Sequence, residues 1–284
     1  YVPDDNFEKA LIELGYDSWP LNDLIPTANI SSIKELLISG KYIENLTGIE
    51  DFTQLEILDC SNNYLQIINI SSNLALKELS CENTWISVLD IQSNNKLRSL
   101  NCNSNRLTAL DVKSNPTLTK INCAMNLLTS IDLSHCKELE NLDCSSNDLT
   151  SLDFQQNNQL TNLNCKQNQI SSLNTSLNPK IETLNCQFNQ LKNLDPTNNV
   201  KLIDLNCAYN QLSSLNISQN TFLKVFNCAY NSLTELNISN NHEINTLHCA
   251  SNRIKTLDLS SNPDLNRLSC ANNQLTKLDL RNGN

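Results

Sequence analysis

Eleven cysteines, at positions 60, 81, 102, 123, 144, 165, 186, 207, 228, 249 and 270, follow one another at steps of 21 residues. A period held over most of a chain means one short unit stacked on itself, because a unit of that length cannot bury its own apolar face alone. The letters around each cysteine recur with it. Leu184, Cys186, Asn189 and Leu191 form one copy, and Leu205, Cys207, Asn210 and Leu212 form the next. With Ile181 and Leu202 added at the front, the unit reads L-x-x-L-x-C-x-x-N-x-L. It then continues through positions such as Leu215, Ile217 and Asn220.

In Leu-x-Cys the two side chains lie two residues apart and share one face of a strand. Stacked copies therefore make a parallel sheet with Leu and Cys inward, and such a sheet needs its inner face covered. The second half of the unit, as in Leu257-Asp258-Leu259, returns along an opposite wall as a short extended stretch. It is too short and too rich in Ser and Asn for a stable helix. Two Asn columns turn the corners, and a buried amide can bond backbone groups of its own and the neighbouring coil. Asn63, Asn105, Asn126 and Asn189 belong to the first column, which Thr84 interrupts; a looser bond is expected there. Asn73, Asn94, Asn115 and Asn220 belong to the second, which Cys136 interrupts.

This unit resembles the leucine-rich-repeat consensus, with Cys in place of the strand's second inward aliphatic residue. The match runs from residue 33 to residue 280. An earlier copy of 22 residues passes through Ile33, Leu36, Ile38, Ile43, Leu46 and Ile49, and its Leu46-Thr47-Gly48-Ile49 stretch resembles internalin-like bacterial repeats. Residues 2 to 16 resemble the N-terminal cap of secreted bacterial proteins of that kind. The fold class expected is a leucine-rich-repeat solenoid, a right-handed, curved parallel β-sheet superhelix of mostly β and coil with a short N-terminal capping helix. Residues 1–32 are expected to form the cap and residues 33–284 about twelve repeats, the first of 22 residues and the rest of 21. Within the cap, residues 5–14 read as an amphipathic helix, with Asp5 and Glu8 at capping-box spacing and Phe7, Ala10, Leu11 and Leu14 on one face. Gly15 ends it, and Trp19, Leu21, Leu24 and Ile30 complete the lid. No comparable lid follows Leu280, so the natural protein is expected to continue past the C-terminal end and to have lost a signal peptide before Tyr1.

Little in the chain points to catalysis. Inward cysteines on adjacent parallel strands sit ~4.8 Å apart and point the same way, a poor geometry for disulfides and for the clustered ligands of a metal site. They read as small, buried, inert hydrophobes. His135, His242 and His248 occupy different positions of the unit, and no phosphate loop or metalloprotease motif is present. The chain is expected not to be an enzyme and to need no cofactor. One cation has candidate ligands: Asp90, Asp111, Asp132 and Asp153 form a row nine residues after successive cysteines, where Ca²⁺ would relieve like-charge repulsion. The other reading is a solvated face alternating with buried Leu.

The strand face offers a better binding surface. Asn185, Asn206 and Asn227, with His248 in the same row, precede their cysteines; Ala208, Ala229 and Ala250 follow as an open floor; Phe188, Tyr209 and Tyr230 come one step later. The period stacks these three rings, either as a ligand site or as a ladder that only stabilises itself. Trp85, beside Thr84, either extends such a surface or packs around the irregularity. A net charge of −10 argues against nucleic acid and anionic membranes, and no apolar run reaches the ~18 residues of a membrane span. The resemblance implies an extracellular or cell-surface binding module, monomeric, that recognises a protein through its concave strand face. A polysaccharide ligand and a passive spacer are the alternatives.

Overall fold

The computed structural model describes residues 1–281, in two compact units that divide between Leu139 and Glu140. The first unit opens with α1 (Asp5–Glu13) and α2 (Thr27–Ile30), followed by strands β1 (Glu35–Leu37), β2 (Ile57–Asp59), β3 (Glu78–Ser80), β4 (Ser99–Asn101) and β5 (Lys120–Asn122). The second holds β6 (Asn141–Asp143), β7 (Asn162–Asn164), β8 (Thr183–Asn185), β9 (Asp204–Asn206), β10 (Val225–Asn227), β11 (Thr246–His248) and β12 (Arg267–Ser269). Within each unit consecutive strands pair in parallel and in exact phase with the repeat. Leu58 lies beside Leu79 in one unit, and Leu184 beside Leu205 in the other. Each unit is a leucine-rich-repeat solenoid.

Each strand is three residues long, and from β1 to β11 its centre is buried; the inward residue that follows, Ile38 after β1 and a cysteine after each of β2 to β11, is buried next to it. All twelve cysteines are free thiols, eleven of them buried and Cys270 half-buried. Burial pushes the thiols of Cys102, Cys186 and Cys207 well above the ordinary value, and that of Cys81 up to about 12. Their reactive thiolate forms are therefore scarce at neutral pH.

The Asn columns staple one coil to the last. Asn189 Nδ2 donates to Cys165 O at 3.0 Å in the preceding coil, and to Cys186 O and Gln187 O in its own. Its Oδ1 accepts from Ile170 N at 2.9 Å. In the second column, Asn220 Nδ2 donates to Pro196 O and Asn199 O, both at 2.9 Å. Thr84 keeps only the forward half of this arrangement. Its hydroxyl donates to Cys81 O at 3.0 Å and to Asn105 Oδ1 at 2.6 Å, with no bond back to the coil of Cys60. Cys136 stands close to the same two carbonyls that its column bonds, 3.8 Å from Val112 O and from Asn115 O.

The second half of the first coil holds a short 3₁₀ helix, Ile49–Asp51, and that of the later coils described forms neither helix nor strand. It is held by short carboxylate or amide turns. Asp90 Oδ1 accepts from Gln92 N and Asp111 Oδ1 from Lys113 N, while Asn216 and Asn237 do the same for Ser218 N and Ser239 N. One side-chain oxygen is all the turn requires, which is why Asp and Asn interchange along this row.

The N-terminal segment departs from its sequence reading in three places. Asp4, not Asp5, is the N-cap of α1, accepting from Asn6 N and Phe7 N at 2.9 and 3.0 Å. Glu8 does not close a capping box; it is fully buried and accepts from Asn22 N and Asp23 N. Leu14, Trp19 and Leu24 are exposed, and Ile25 and Ile30 are the buried residues of the following segment. The other Asp4 oxygen takes Glu44 N and Asn45 N, both at 2.8 Å, and so ties α1 to the first repeat. Gly48 in that repeat lies at φ +104°, where a Cβ would sit 2.8 Å from Tyr1 O.

Two outcomes are expected. Thr84→Asn supplies the missing backward bond and should raise stability by about 1 kcal/mol, whereas Asn189→Ala removes four side-chain hydrogen bonds and leaves the buried Ile170 N–H without its acceptor, and should cost about 3 kcal/mol, both read from urea unfolding. At pH 8, a thiol reagent should label Cys270 alone in the folded chain and all twelve cysteines after denaturation. Rapid labelling of interior cysteines under native conditions would contradict their burial.

Candidate functional site

The rings at 188, 209 and 230 come together in the second unit. Phe188 and Tyr209 stack with centroids 4.1 Å apart at 16°, and Tyr209 and Tyr230 stack at 4.1 Å and 9°. All three are exposed. The neighbouring Tyr230 phenol, more than desolvation, raises the Tyr209 phenol above its ordinary pKa.

These rings are not on the strands. They occupy the turn just beyond, at φ of +54°, +54° and +55°. Every cysteine-plus-two position from Asn62 to Asn272 shares this left-handed backbone. The position costs an L-residue with a Cβ about 1 kcal/mol, and Asn or Gly tolerates it best. An aromatic residue there goes against the backbone's preference.

The Asn row has a structural task of its own. Asn185, Asn206 and Asn227 each accept, through Oδ1, the backbone N–H two residues on, at 3.3, 3.2 and 3.1 Å. This bond turns the chain from the strand into the left-handed position. Asn206 Nδ2 also donates to Gln187 Oε1 at 3.1 Å. His248 takes the same row, between Asn227 and Ser269 in register, and is half-buried. The alanines do not form the expected open floor. Ala208 and Ala229 are buried at the turn, Ala250 is half-buried, and only Ala271 is exposed. Ala208 and Ala229 are thus buried at the turn, while Tyr209 and Tyr230, which follow them, are exposed.

The acidic row is built into the turns of the second wall. Asp90, Asp111 and Asp132 in the first unit and Asp153 in the second are exposed, and each carboxylate is engaged by its own turn. Among the described residues, no three His, Cys, Asp or Glu side chains are grouped as metal ligands would be. His135 and His242 are bonded locally, to Ser134 and to Ser261 O.

A leucine-rich-repeat solenoid with a cysteine ladder recurs in a solved structure. The functional domain of InlJ from Listeria monocytogenes, which includes a cysteine ladder, matches with a TM-score of 0.95 and 35% identity, over 99% of this chain and 63% of that one. This chain is an internalin-like leucine-rich-repeat protein. It spans less than two thirds of the InlJ chain. The internalin InlF from Listeria monocytogenes shares its fold at a TM-score of 0.83 and 21% identity, over 99% of this chain and 92% of that one. The plant peptide hormone receptor RGFR1, solved in complex with RGF2, does so at a TM-score of 0.70 and 22% identity, over 88% of this chain and 49% of that one. No protein-family model matches the chain, and no curated protein matches it in sequence. None of the helices described is long and apolar enough to cross a membrane.

The internalin-like chain carries a second ring ladder that single-copy reading overlooks. Tyr42, Tyr64 and Trp85 occupy one column of the first unit, four residues past the inward strand-end position. Tyr64 stacks on Trp85 at 5.1 Å and 28°, Tyr42 leans on Tyr64 at 6.0 Å and 49°, and the Arg106 guanidinium lies 5.7 Å from the Trp85 centroid. Trp85 thus belongs to a ladder rather than to a repair around Thr84. Following the period at this column would have found it.

Replacing Phe188, Tyr209 and Tyr230 together by Asn removes two stacked contacts of about 1 kcal/mol each and relieves left-handed strain of about 1 kcal/mol at each of three positions. The melting temperature of this variant of the internalin-like chain should stay within about 3 °C of the parent. A fall of more than about 10 °C would mean that the rings are there for stability.

Proposed function

We propose that the chain is a non-catalytic extracellular or cell-surface module that binds a protein partner across the strand face and the Phe188–Tyr209–Tyr230 ladder. The observation that carries this reading is the ladder's placement: three consecutive exposed rings at backbone positions that favour Asn or Gly. Internalin-like solenoids are a fold of interaction surfaces, and RGFR1 presents that fold with RGF2 bound. Catalysis finds no support, since neither a nucleophile–base pair nor a ligand cluster accompanies the rings.

The ring geometry favours protein over polysaccharide. A sugar stacks on an open aromatic face. Here, rings 4.1 Å apart spend their inner faces on one another and present edges and phenol oxygens. Edges beside half-buried amides suit the mixed apolar and polar side chains of a protein surface.

The test applies the parent chain and its triple Asn variant to a random-peptide display library and to a glycan array. Peptides selected by the parent and lost by the variant support the reading. Glycans bound by the parent alone would replace it with the polysaccharide alternative. Silence on both, or binding that ignores the rings, would leave a spacer role and remove the ladder as a site.

A further inference from the structure

Asp204 sits first in β9, on the outward face, between Thr183 and Val225 of the neighbouring strands. It is half-buried, and burial pushes its carboxyl above the ordinary range. Among the described residues no ion pair or side-chain hydrogen bond reaches it. The nearest coil's cation, Lys224, lies 3.6 Å from Glu243 instead. Of the other outward carboxylates of these strands, Glu35 and Glu78 are exposed to water, and Asp59 and Asp143 are engaged. Asp143 accepts from Ser145 N and Ser145 Oγ and from Asn164 Nδ2, at 3.0, 2.6 and 2.9 Å. The repeat does not require an acid at this position: the same place holds Asn141, Asn162, Thr183 and Thr246 in some strands, Lys120 and Arg267 in others, and the exposed Glu35 and Glu78 in the first unit. A carboxylate partly withdrawn from water without a donor is a cost to the free protein. An incoming cation would recover that cost.

Asp204 shares its strand with Asn206, about 6.6 Å along the same face at strand rise. Tyr209 follows at the turn, inside the ring stack. We propose that this face takes a basic segment of a protein partner, with Asp204 pairing an arginine or lysine and the rings receiving apolar neighbours a few residues along. The proposal rests on the protein-binding reading above and names its partner class. The chain's net charge of −10 would draw such a segment in from a distance. Asn206, whose Oδ1 is committed to Ala208 N, adds hydrogen bonding without adding charge.

The experiment is a random-peptide selection on the parent chain, followed by titration of the selected peptides against the parent, Asp204→Asn and the triple Asn ring variant at low and high salt. Asp204→Asn puts in the residue that Asn141 and Asn162 already supply at this position, so it should fold and melt like the parent. The expected result is enrichment of Arg and Lys, affinity that falls with salt, and a loss of about tenfold on Asp204→Asn. Ring-dependent peptides that are neutral or acidic, or that bind Asp204→Asn as well as the parent, would overturn the basic partner and leave the protein-binding site standing. If no selected peptide depends on the rings, both readings fall together.

Discussion

The structure depends on a buried primary amide bonded to backbone on both sides of a coil boundary. A unit of 21 residues cannot supply its own turns with hydrogen-bond partners, and the turns of stacked coils face one another away from water. Asn solves this because it offers two donors and an acceptor on a short stem. Asn189 uses all three functions, in two coils. Leu and Cys fill the layer between strands, but they are interchangeable apolar volume. The amide fixes the phase of one coil against the next. The second column is less complete: buried Oδ1 atoms of Asn73, Asn94, Asn115, Asn178, Asn220, Asn241 and Asn262 have no hydrogen-bond partner. Asn199 is satisfied because Thr175 stands where the neighbouring coils carry Phe154 and Pro196, and its hydroxyl donates at 2.7 Å. That column works through its donors and tolerates an idle acceptor, which fits the presence of a thiol at Cys136.

Such a scaffold divides its positions into those with one permitted chemistry and those with many. The row two residues past each cysteine is permissive in chemistry, though fixed in backbone. It holds Asn, Ser, Met and Gln as well as Phe and Tyr, all near φ +50°. The cost of a Cβ in that conformation is paid whatever follows, so the extra carbons of a ring return nothing to the turn itself. Stacking offsets part of the strain only when the next coil also carries a ring. Three successive rings are therefore a correlated choice, whether for mutual packing or for a ligand. The edge-on display of the tyrosine hydroxyls is the feature that mutual packing does not need.

The fold was legible because its signal is repeated. Each strand, each inward Leu and Cys, and both Asn columns could be placed from the period alone, and the structure puts them there. The N-terminal segment appears once and was read less well. A capping box predicts that Glu8 turns back on its own helix, yet the carboxylate is recruited by Asn22 N and Asp23 N, contacts that local spacing cannot reveal. Trp19 and Leu24 were assigned to a lid by hydrophobicity, although exposure of single apolar residues is common. At the candidate site, the ring stack followed from the period, but the burial of Ala208 did not. It arises from the Asn206 bond and the left-handed turn, and neither leaves a mark in a hydropathy pattern. The acidic row has a local task that its column does not reveal: one oxygen of each Asp accepts the backbone N–H two residues on.

Asp204 separates itself by the same logic in reverse. In this chain nearly every acid or amide near a turn has a backbone partner close in sequence, so a polar group's task can be read from what it bonds. A half-buried carboxylate on a regular strand, with neutral residues in its register and no donor at hand, has no task inside the coil. The scaffold would be served as well by the Asn or Thr found elsewhere in the column. Rings that the turn does not need and an acid that the strand does not need lie on the same few coils of one unit, which is what a surface shaped by a partner would leave behind. The first-unit ladder lacks this conjunction. Arg106 already lies against Trp85, so its charge is partly spent within the ladder, and the Tyr64–Trp85 stack extends the packing of its own edge. Two ladders built on one period can therefore differ in role, and the unsatisfied charge beside one of them is what distinguishes it.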